Sequence, residues 1–177
     1  MKRRSLMALL GQAGLASVAL SACGFKLRAE QNYAFQTIAI MPNPGGAVAT
    51  ELRRSFGSNV TVLAPNAPLA QAQVVLEIFD EQREKVVVGI NSSGQVREFQ
   101  LRIRVKFRVR TPQGDELTPD TEIMQQRDIS FNESAVLAKE AEEALLNRDM
   151  QSDIVQQLMR RLAKVKLSNA ASPEPTR

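Results

Sequence analysis

The sequence predicts an α+β fold, in which a mixed four- to five-stranded sheet contains a long antiparallel hairpin and two helices packed on one face. Three observations support this fold class. Apolar and polar residues alternate without interruption over residues 98–110, which is the period of a strand. Residues 37–64 read as strand, helix and strand in that order. After Asn132 the apolar residues recur with a helical period.

Residues 1–22 have the layout of a secretory signal peptide and are expected to be removed. Three basic residues precede an apolar stretch that ends in small residues directly before Cys23. The apolar stretch is too short, and too interrupted by glycine and glutamine, for a comfortable transmembrane span. We therefore expect a single folded domain over residues 23–167.

The composition excludes several classes of chemistry. The sequence has no histidine and one cysteine, which removes histidine-assisted nucleophiles, histidine metal sites and disulfides. No glycine-rich phosphate loop of the usual spacing is present. A hydrolase that uses only carboxylates stays open on composition, but no carboxylates lie in a context that suggests a site. We therefore expect no metal site.

The charge of the mature chain is nearly balanced. Residues 1–22 hold three of the 23 basic residues, which leaves 20 basic against 19 acidic residues. The high isoelectric point therefore offers no argument for nucleic-acid binding, and only the local distribution of charge is informative.

The N-terminal elements are short. Residues 37–41 are apolar and β-branched, and Pro42 ends this strand. Residues 47–56 predict a helix because apolar side chains recur every four residues along one face. Residues 59–64 predict a second strand, and the order strand, helix, strand favours parallel pairing.

A long hairpin dominates the middle of the sequence. Residues 73–89 predict a strand, although residues 80–85 are polar on both faces and are expected outside the core. Residues 91–94 predict a turn, after which residues 95–110 return. At about 3.4 Å per residue, the alternating part alone is roughly 44 Å long. A strand of that length favours a binding or scaffolding protein.

The C-terminal third predicts a turn over residues 111–115, a last strand over residues 121–131, and a helix that begins at the N-cap Asn132. This helix is expected to be about 28 residues long, or about 42 Å. Its apolar stripe is predicted to be core and contains Leu137, Ala141, Ala144, Leu145, Val155, Leu158, Leu162 and Val165. Residues 168–177 predict a disordered tail.

The polar face of the long strand is cationic, and two interpretations of it stay open. Arginine side chains in a row suit bidentate contacts to phosphate. The same side chains also suit cross-strand ion pairs, for which the sequence offers Glu77, Glu81, Glu122 and Asp128. Exposed pairs add only about 0–1 kcal/mol each, so stability is a weak reason for so many arginines.

Several segments together resemble one known family. Residues 20–23, Leu-Ser-Ala-Cys, resemble the bacterial lipobox, and residues 23–28 read Cys-Gly-Phe-Lys-Leu-Arg. Further similarity lies in the hairpin over residues 94–100, in Leu-Ala-Lys-Glu over residues 137–140, and in the closing stretch 149–162. In this order and spacing the chain resembles the lipopolysaccharide-assembly lipoproteins of the LptE family.

The resemblance implies a lipid-anchored protein without catalytic activity. Cys23 would carry a diacylglycerol and an N-acyl chain, with no other cofactor. Gly24, where retained lipoproteins usually carry Asp, favours export to the outer membrane, on its periplasmic side. Such proteins form a 1:1 plug inside the LptD β-barrel, assist its folding, and bind lipopolysaccharide during insertion into the outer leaflet.

The resemblance also implies candidate site residues. A lysine at the start of the last helix matches Lys139, whose alternative role is an ordinary helix pair with Glu142 or Glu143. A basic residue is expected near the hairpin tip, where the nearest cation is Arg97. The other candidates for lipopolysaccharide binding are Arg102, Arg104, Lys106 and Arg108. The candidates for contact with the barrel are Ile90, Asn91 and Ser92.

The sequence is also compatible with a second function. A lipoprotein of similar build could serve another envelope export system as an accessory subunit. The partner distinguishes the two, because the first function requires a β-barrel and the second an inner-membrane transporter. Gly24 and the motifs at both ends of the mature chain favour the first.

Overall fold

The computed structural model of the chain describes residues 31–167. The predicted signal peptide, Cys23 and the predicted tail over residues 168–177 lie outside the described residues. The elements in chain order are β1 (Thr37–Met41), α1 (Ala47–Ser55), β2 (Thr61–Val62), β3 (Val74–Ile90), β4 (Val96–Arg110), β5 (Glu116–Ser130) and α2 (Val136–Leu162).

The five strands form one mixed sheet in the order β2-β1-β3-β4-β5. β1 pairs in parallel with β2 and with β3, as the order strand, helix, strand predicted. β3, β4 and β5 are antiparallel neighbours. The predicted α+β fold with its long hairpin is confirmed.

One face of the sheet carries both helices and the main core. The alternation in β4 is confirmed, since the apolar side chains of its core face are at most 1 % exposed: Leu101, Ile103, Val105, Phe107 and Val109. α1 adds Val48 and Leu52 to the same cluster, and α2 adds Ile154 and Leu158. Burial of these side chains at about 1.5–3 kcal/mol each holds the helices on this face.

The predicted core stripe of α2 is wrong in its first half. Leu137 is 83 % exposed and Leu145 is 63 % exposed, and the buried residues of α2 begin only at Met150. α1 has nine residues against 27 in α2, and it meets α2 near Gln151, whose amide donates to Ala47. The stripe therefore has a helix to pack against only in its second half.

Two predicted strand boundaries are also wrong. β5 begins at Glu116, before the predicted start at residue 121, and pairs with β4 from its first residue. Pro119 is unusual within a strand because proline has no backbone N–H to donate. An edge strand such as β5 tolerates it, because the N–H groups along its outer side have no neighbouring strand to bond. β2 contains only two residues rather than the six predicted over residues 59–64.

Neither α-helix within residues 31–167 combines the length and the apolarity needed to cross a bilayer.

Candidate functional site

The cationic residues of β4 lie on the sheet face opposite the helices, as their alternation predicted. Their side chains keep substantial contact with solvent, from 25 % of Arg110 to 48 % of Arg108. Lys106 is 41 % and Arg104 is 36 % exposed. This row of β4 side chains, called the cationic row, consists of Arg102, Arg104, Lys106, Arg108 and Arg110.

One end of the cationic row is neutralised by a single carboxylate on β3. Glu77 accepts from Arg108 Nε at 2.6 Å and from Arg110 Nε at 2.7 Å. The hydrogen bond from Arg110, supported by that from Arg108, holds the pKa of Glu77 below its ordinary value against the opposing effect of burial. The same carboxylate raises the pKa of the Arg108 guanidinium.

The middle of the cationic row is less well compensated. Lys106 Nζ lies 4.0 Å from both Asp80 and Glu122, the outer limit of an ion pair. Arg104 lies 3.6 Å from Glu84. Arg102 donates to Gln100 at 2.7 Å and has no carboxylate partner among residues 31–167. The charges in the middle of the cationic row therefore keep more capacity to bind an anion than those at the Glu77 end.

The cross-strand interpretation is confirmed for Glu77 and Glu122, and it is wrong for Glu81 and Asp128. Asp128 accepts from Gln100 at 2.8 Å instead of from a cation. Glu81 lies on the helix face, where it accepts from the backbone N–H of Val48 at 3.3 Å.

A β-bulge explains the misplacement of Glu81. The register of β3 against β4 shifts between Ile78 and Asp80, which inserts Phe79 as an extra residue. One inserted residue exchanges the faces of every side chain that follows it. Asp80 and Glu84 consequently face the cationic row, whereas Glu81 turns toward the helices.

Lys139 lies near the start of α2 and is held by the protein itself. Its ammonium donates to Ser130 Oγ at 2.9 Å and to Glu142 at 2.8 Å, and 22 % of its side chain is exposed. The predicted helix pair is therefore formed with Glu142. Glu143 instead pairs with Lys85 at 2.6 Å.

A second lysine beside Lys139 was missed by the sequence reasoning. Lys85 and Lys139 line the same small cavity of about 70 Å³, together with Phe99 and Phe131. Lys85 Nζ lies 4.5 Å from the centre of the Phe99 ring, within cation–π range. Lys85 lies opposite Leu101 in the pairing of β3 with β4. It faces the helices because the bulge at Phe79 exchanges the faces of the β3 residues that follow it, as it does for Glu81. Lys85 could have been predicted to lie beside Lys139 only if the bulge had been known.

The three barrel-contact candidates lie together at the hairpin tip, but their side chains differ in role. Ile90 is 66 % exposed. The Asn91 carboxamide accepts from the N–H groups of Ser93 and Gln95 at 3.0 and 2.9 Å, so it stabilises the turn itself. Ser92 is exposed at the turn. The candidate cation Arg97 follows the turn, and within residues 31–167 its side chain contacts only Gln95, at 3.5 Å.

Two more apolar residues near the tip were not among the candidates. Val87 is 47 % and Val88 is 46 % exposed. With Ile90 they form an exposed apolar end that nothing in residues 31–167 covers. From the sequence, both valines are predicted simply as part of the strand over residues 73–89.

Among residues 31–167, no group of three or more acidic, cysteine or histidine side chains is placed to hold a metal ion. The chemically distinctive features of this part of the chain are therefore surfaces: the cationic row, the Lys85–Lys139 cavity and the apolar hairpin end.

Comparison with known proteins gives a consistent result. The family model described as LptE, lipopolysaccharide-assembly, matches residues 35–162. The LPS-assembly lipoprotein LptE of Yersinia enterocolitica is 30 % identical over 169 residues, covering 93 % of this chain and 78 % of the relative. That of Photorhabdus laumondii is 29 % identical over 170 residues, covering 93 % and 88 %.

Solved structures with the same fold are also lipoproteins. The NMR structure of lipoprotein B from Nitrosomonas europaea has a TM-score of 0.68 and 32 % identity, covering 79 % of this chain and 90 % of that one. The crystal structure of rare lipoprotein B from Shewanella oneidensis, at 21 % identity, shares the fold with a TM-score of 0.60 and coverage of 72 % and 94 %. The chain thus belongs to the LptE family of non-enzymatic, envelope-associated lipopolysaccharide-assembly lipoproteins.

Proposed function

We propose that this protein is anchored in the outer membrane through acyl chains on Cys23, faces the periplasm, and forms a 1:1 plug within an LptD-type β-barrel. It assists folding of the barrel and binds lipopolysaccharide during insertion into the outer leaflet. Membership of the LptE family gives it a role in lipopolysaccharide assembly, in association with the transport machinery.

The observation that carries the plug proposal is the apolar end of the hairpin. Val87, Val88 and Ile90 are each at least 46 % exposed on a hairpin that no helix of the described chain covers at its tip. Exposed apolar groups that cluster on a rigid element are typical of a surface that another protein covers. A barrel wall would supply that cover.

Binding of lipopolysaccharide is supported by exposed cations with incomplete compensation. Arg102 lacks a carboxylate partner within residues 31–167, and Lys106 has only 4.0 Å pairs. Guanidinium and ammonium groups in such positions can exchange weak partners for the phosphates of lipid A. Lys139 is already held by Ser130 and Glu142, so its binding to phosphate would require Glu142 to release it.

The plug is tested by co-purification from outer membranes solubilised in detergent. We expect a β-barrel of the LptD type at a near-equal molar amount. Val88→Ser combined with Ile90→Ser should lower the recovered barrel several-fold. Met124→Ser is the matched control, because Met124 is 52 % exposed on the sheet, away from the tip. Recovery of an inner-membrane transporter without a barrel would favour the accessory-subunit alternative.

Lipopolysaccharide binding is tested separately with the purified protein. Arg102→Gln combined with Lys106→Gln should weaken binding about tenfold, since two charge-assisted contacts are lost. Lys164→Gln with Lys166→Gln removes the same charge from exposed positions beyond α2. Equal affinity of the two double variants would exclude the cationic row from the binding site.

A further inference from the structure

A groove between α1 and α2 carries two arginines, and an exposed apolar face of α2 lies next to it along the helix. The groove has a volume of about 580 Å³ and is lined by Arg54 of α1 and Arg148 of α2. Within residues 31–167 neither guanidinium forms a side-chain hydrogen bond or an ion pair. The neighbouring Arg53 differs, because its guanidinium donates to the carbonyls of Ile40 and Pro42 at 2.9 Å.

The apolar face begins one turn from Arg148. Leu137 and Leu145 are 83 % and 63 % exposed, and Ala141 and Ala144 are also exposed. At helical spacing these residues and Arg148 share one face of α2. Leu137 and Arg148 are eleven residues apart, which is about 16 Å along the helix. This segment is the half of the stripe that α1 does not reach.

We propose that this groove is a binding site for lipid A, with a phosphate held between Arg54 and Arg148 and one acyl chain laid along the exposed stripe toward Leu137. Two guanidinium groups on different helices suit a phosphate because each presents a planar pair of donors. An acyl chain gains free energy by covering an exposed apolar face of this kind, whereas a soluble sugar phosphate has no apolar group that would cover it. The site is separate from the cationic row, from which the sheet divides it.

Two carboxylates at the groove set its selectivity. Glu51 is already engaged, since it accepts from Gln151 at 2.5 Å, whereas Asp149 lies beside Arg148 without a partner in residues 31–167. With both acids present the groove is neutral overall, so a free phosphate should bind weakly. The acyl chain must then supply much of the affinity, which makes the site selective for a phosphorylated lipid.

The inference rests on the proposed binding of lipopolysaccharide, and its test uses the purified mature protein with lipid A as the probe. Arg54→Gln with Arg148→Gln should weaken lipid A binding about tenfold through loss of two charge-assisted contacts. Leu137→Ser with Leu145→Ser should have a similar effect through loss of apolar contact. All four positions lie at the surface of the helices, and circular dichroism checks that the variants remain folded.

Matched controls separate the groove from general charge or hydrophobicity. Arg160→Gln with Lys166→Gln removes two charges from exposed positions at and beyond the C-terminal end of α2, and Met124→Ser removes an exposed apolar side chain from the sheet. Both controls should bind lipid A as the unaltered protein does. The deacylated, phosphorylated disaccharide should bind much more weakly than lipid A and should be little affected by the leucine variants.

Three results would overturn the proposal. Groove variants that bind lipid A normally, while the Arg102 and Lys106 variant does not, would leave the proposed function standing and exclude the groove. Loss of the co-purified barrel with unchanged lipid A binding would show that a protein covers the stripe instead. An unaltered protein that does not bind lipid A would remove the lipopolysaccharide part of the proposed function and this inference with it.

Discussion

Glu81 of β3 caps α1, and it can do so because residue 46 is glycine. The Glu81 carboxylate accepts from the backbone N–H of Ala47 at 3.1 Å and from that of Val48 at 3.3 Å. A Cβ on Gly46 would overlap this carboxylate. Gly46 occupies the N-cap without a side chain of its own, and α1 has no acid in its first turn. A strand residue 34 positions away thus supplies the negative charge that the helix start favours.

The first prediction concerns this cap. Glu81→Gln should lower the free energy of unfolding by about 1 kcal/mol, since the amide keeps an acceptor but loses the charge. Urea denaturation measures the change. Glu140→Gln, on an exposed turn of α2, should have an effect within about 0.5 kcal/mol.

A double-mutant cycle sharpens this test. Gly46→Ala should destabilise the protein because its methyl group displaces the Glu81 carboxylate. In a Glu81→Ala background the same substitution should cost much less, because the group that it displaces has gone. Additive effects of the two substitutions would show that Gly46 and Glu81 act independently.

The second prediction separates the two halves of α2 with one substitution type. Leu158→Ala should cost about 2–5 kcal/mol, because Leu158 is fully buried in the main core. Leu137→Ala, on the same helix but 83 % exposed, should change stability by less than about 0.5 kcal/mol. Both values come from chemical denaturation of the purified domain. A large cost at Leu137 would mean that the whole stripe is core, as its periodicity predicted.

The third prediction is a pH dependence at Glu77. Its folded-state pKa is lowered by hydrogen bonds from Arg110 and Arg108, so the carboxylate stabilises the fold at pH values above the unfolded pKa, about 4.3. That contribution is lost as the pH falls through the lowered folded-state pKa. At pH 7, Glu77→Gln should therefore cost about 1 kcal/mol.

The stability difference between the parent protein and Glu77→Gln should shrink as the pH falls below about 4.3, because the unfolded state begins to bind the proton there, and it should vanish once the pH is below the lowered folded-state pKa. Thermal or urea midpoints measured from pH 7 downward follow this difference. Glu133→Gln serves as a control at an exposed acid. A difference that stays constant through the acid range would contradict a role for the ionised carboxylate.

The fourth prediction concerns the order of the hairpin tip. Asn91→Ala removes the acceptor of the Ser93 and Gln95 N–H groups, so these two amides should exchange with solvent faster. The global free energy of unfolding should change by less than about 1 kcal/mol. Ser92→Ala is the local control, and amide hydrogen exchange by NMR is the measurement. Unchanged exchange at both amides would mean that the turn does not depend on Asn91.

Prediction from the sequence succeeded where a pattern has a strict period. The alternation of β4 predicted its core face, and the order strand, helix, strand predicted the parallel pairing of β1. It failed where one inserted residue shifts the alternation. The bulge at Phe79 exchanges the faces of Glu81 and Lys85, and no residue type near it signals a bulge. The candidate Lys139 came from resemblance and Ile90 from its position beside the predicted turn, whereas Lys85 required the folded hairpin.

The amino-acid sequence by itself determined the strands of the hairpin, the two helices and the family, because periodicity and motif order are local properties of the chain. Only the tertiary structure decided which half of the α2 stripe is buried, because burial depends on how far α1 extends beside it. It also decided which acids neutralise the cationic row, since ion pairing depends on strand register.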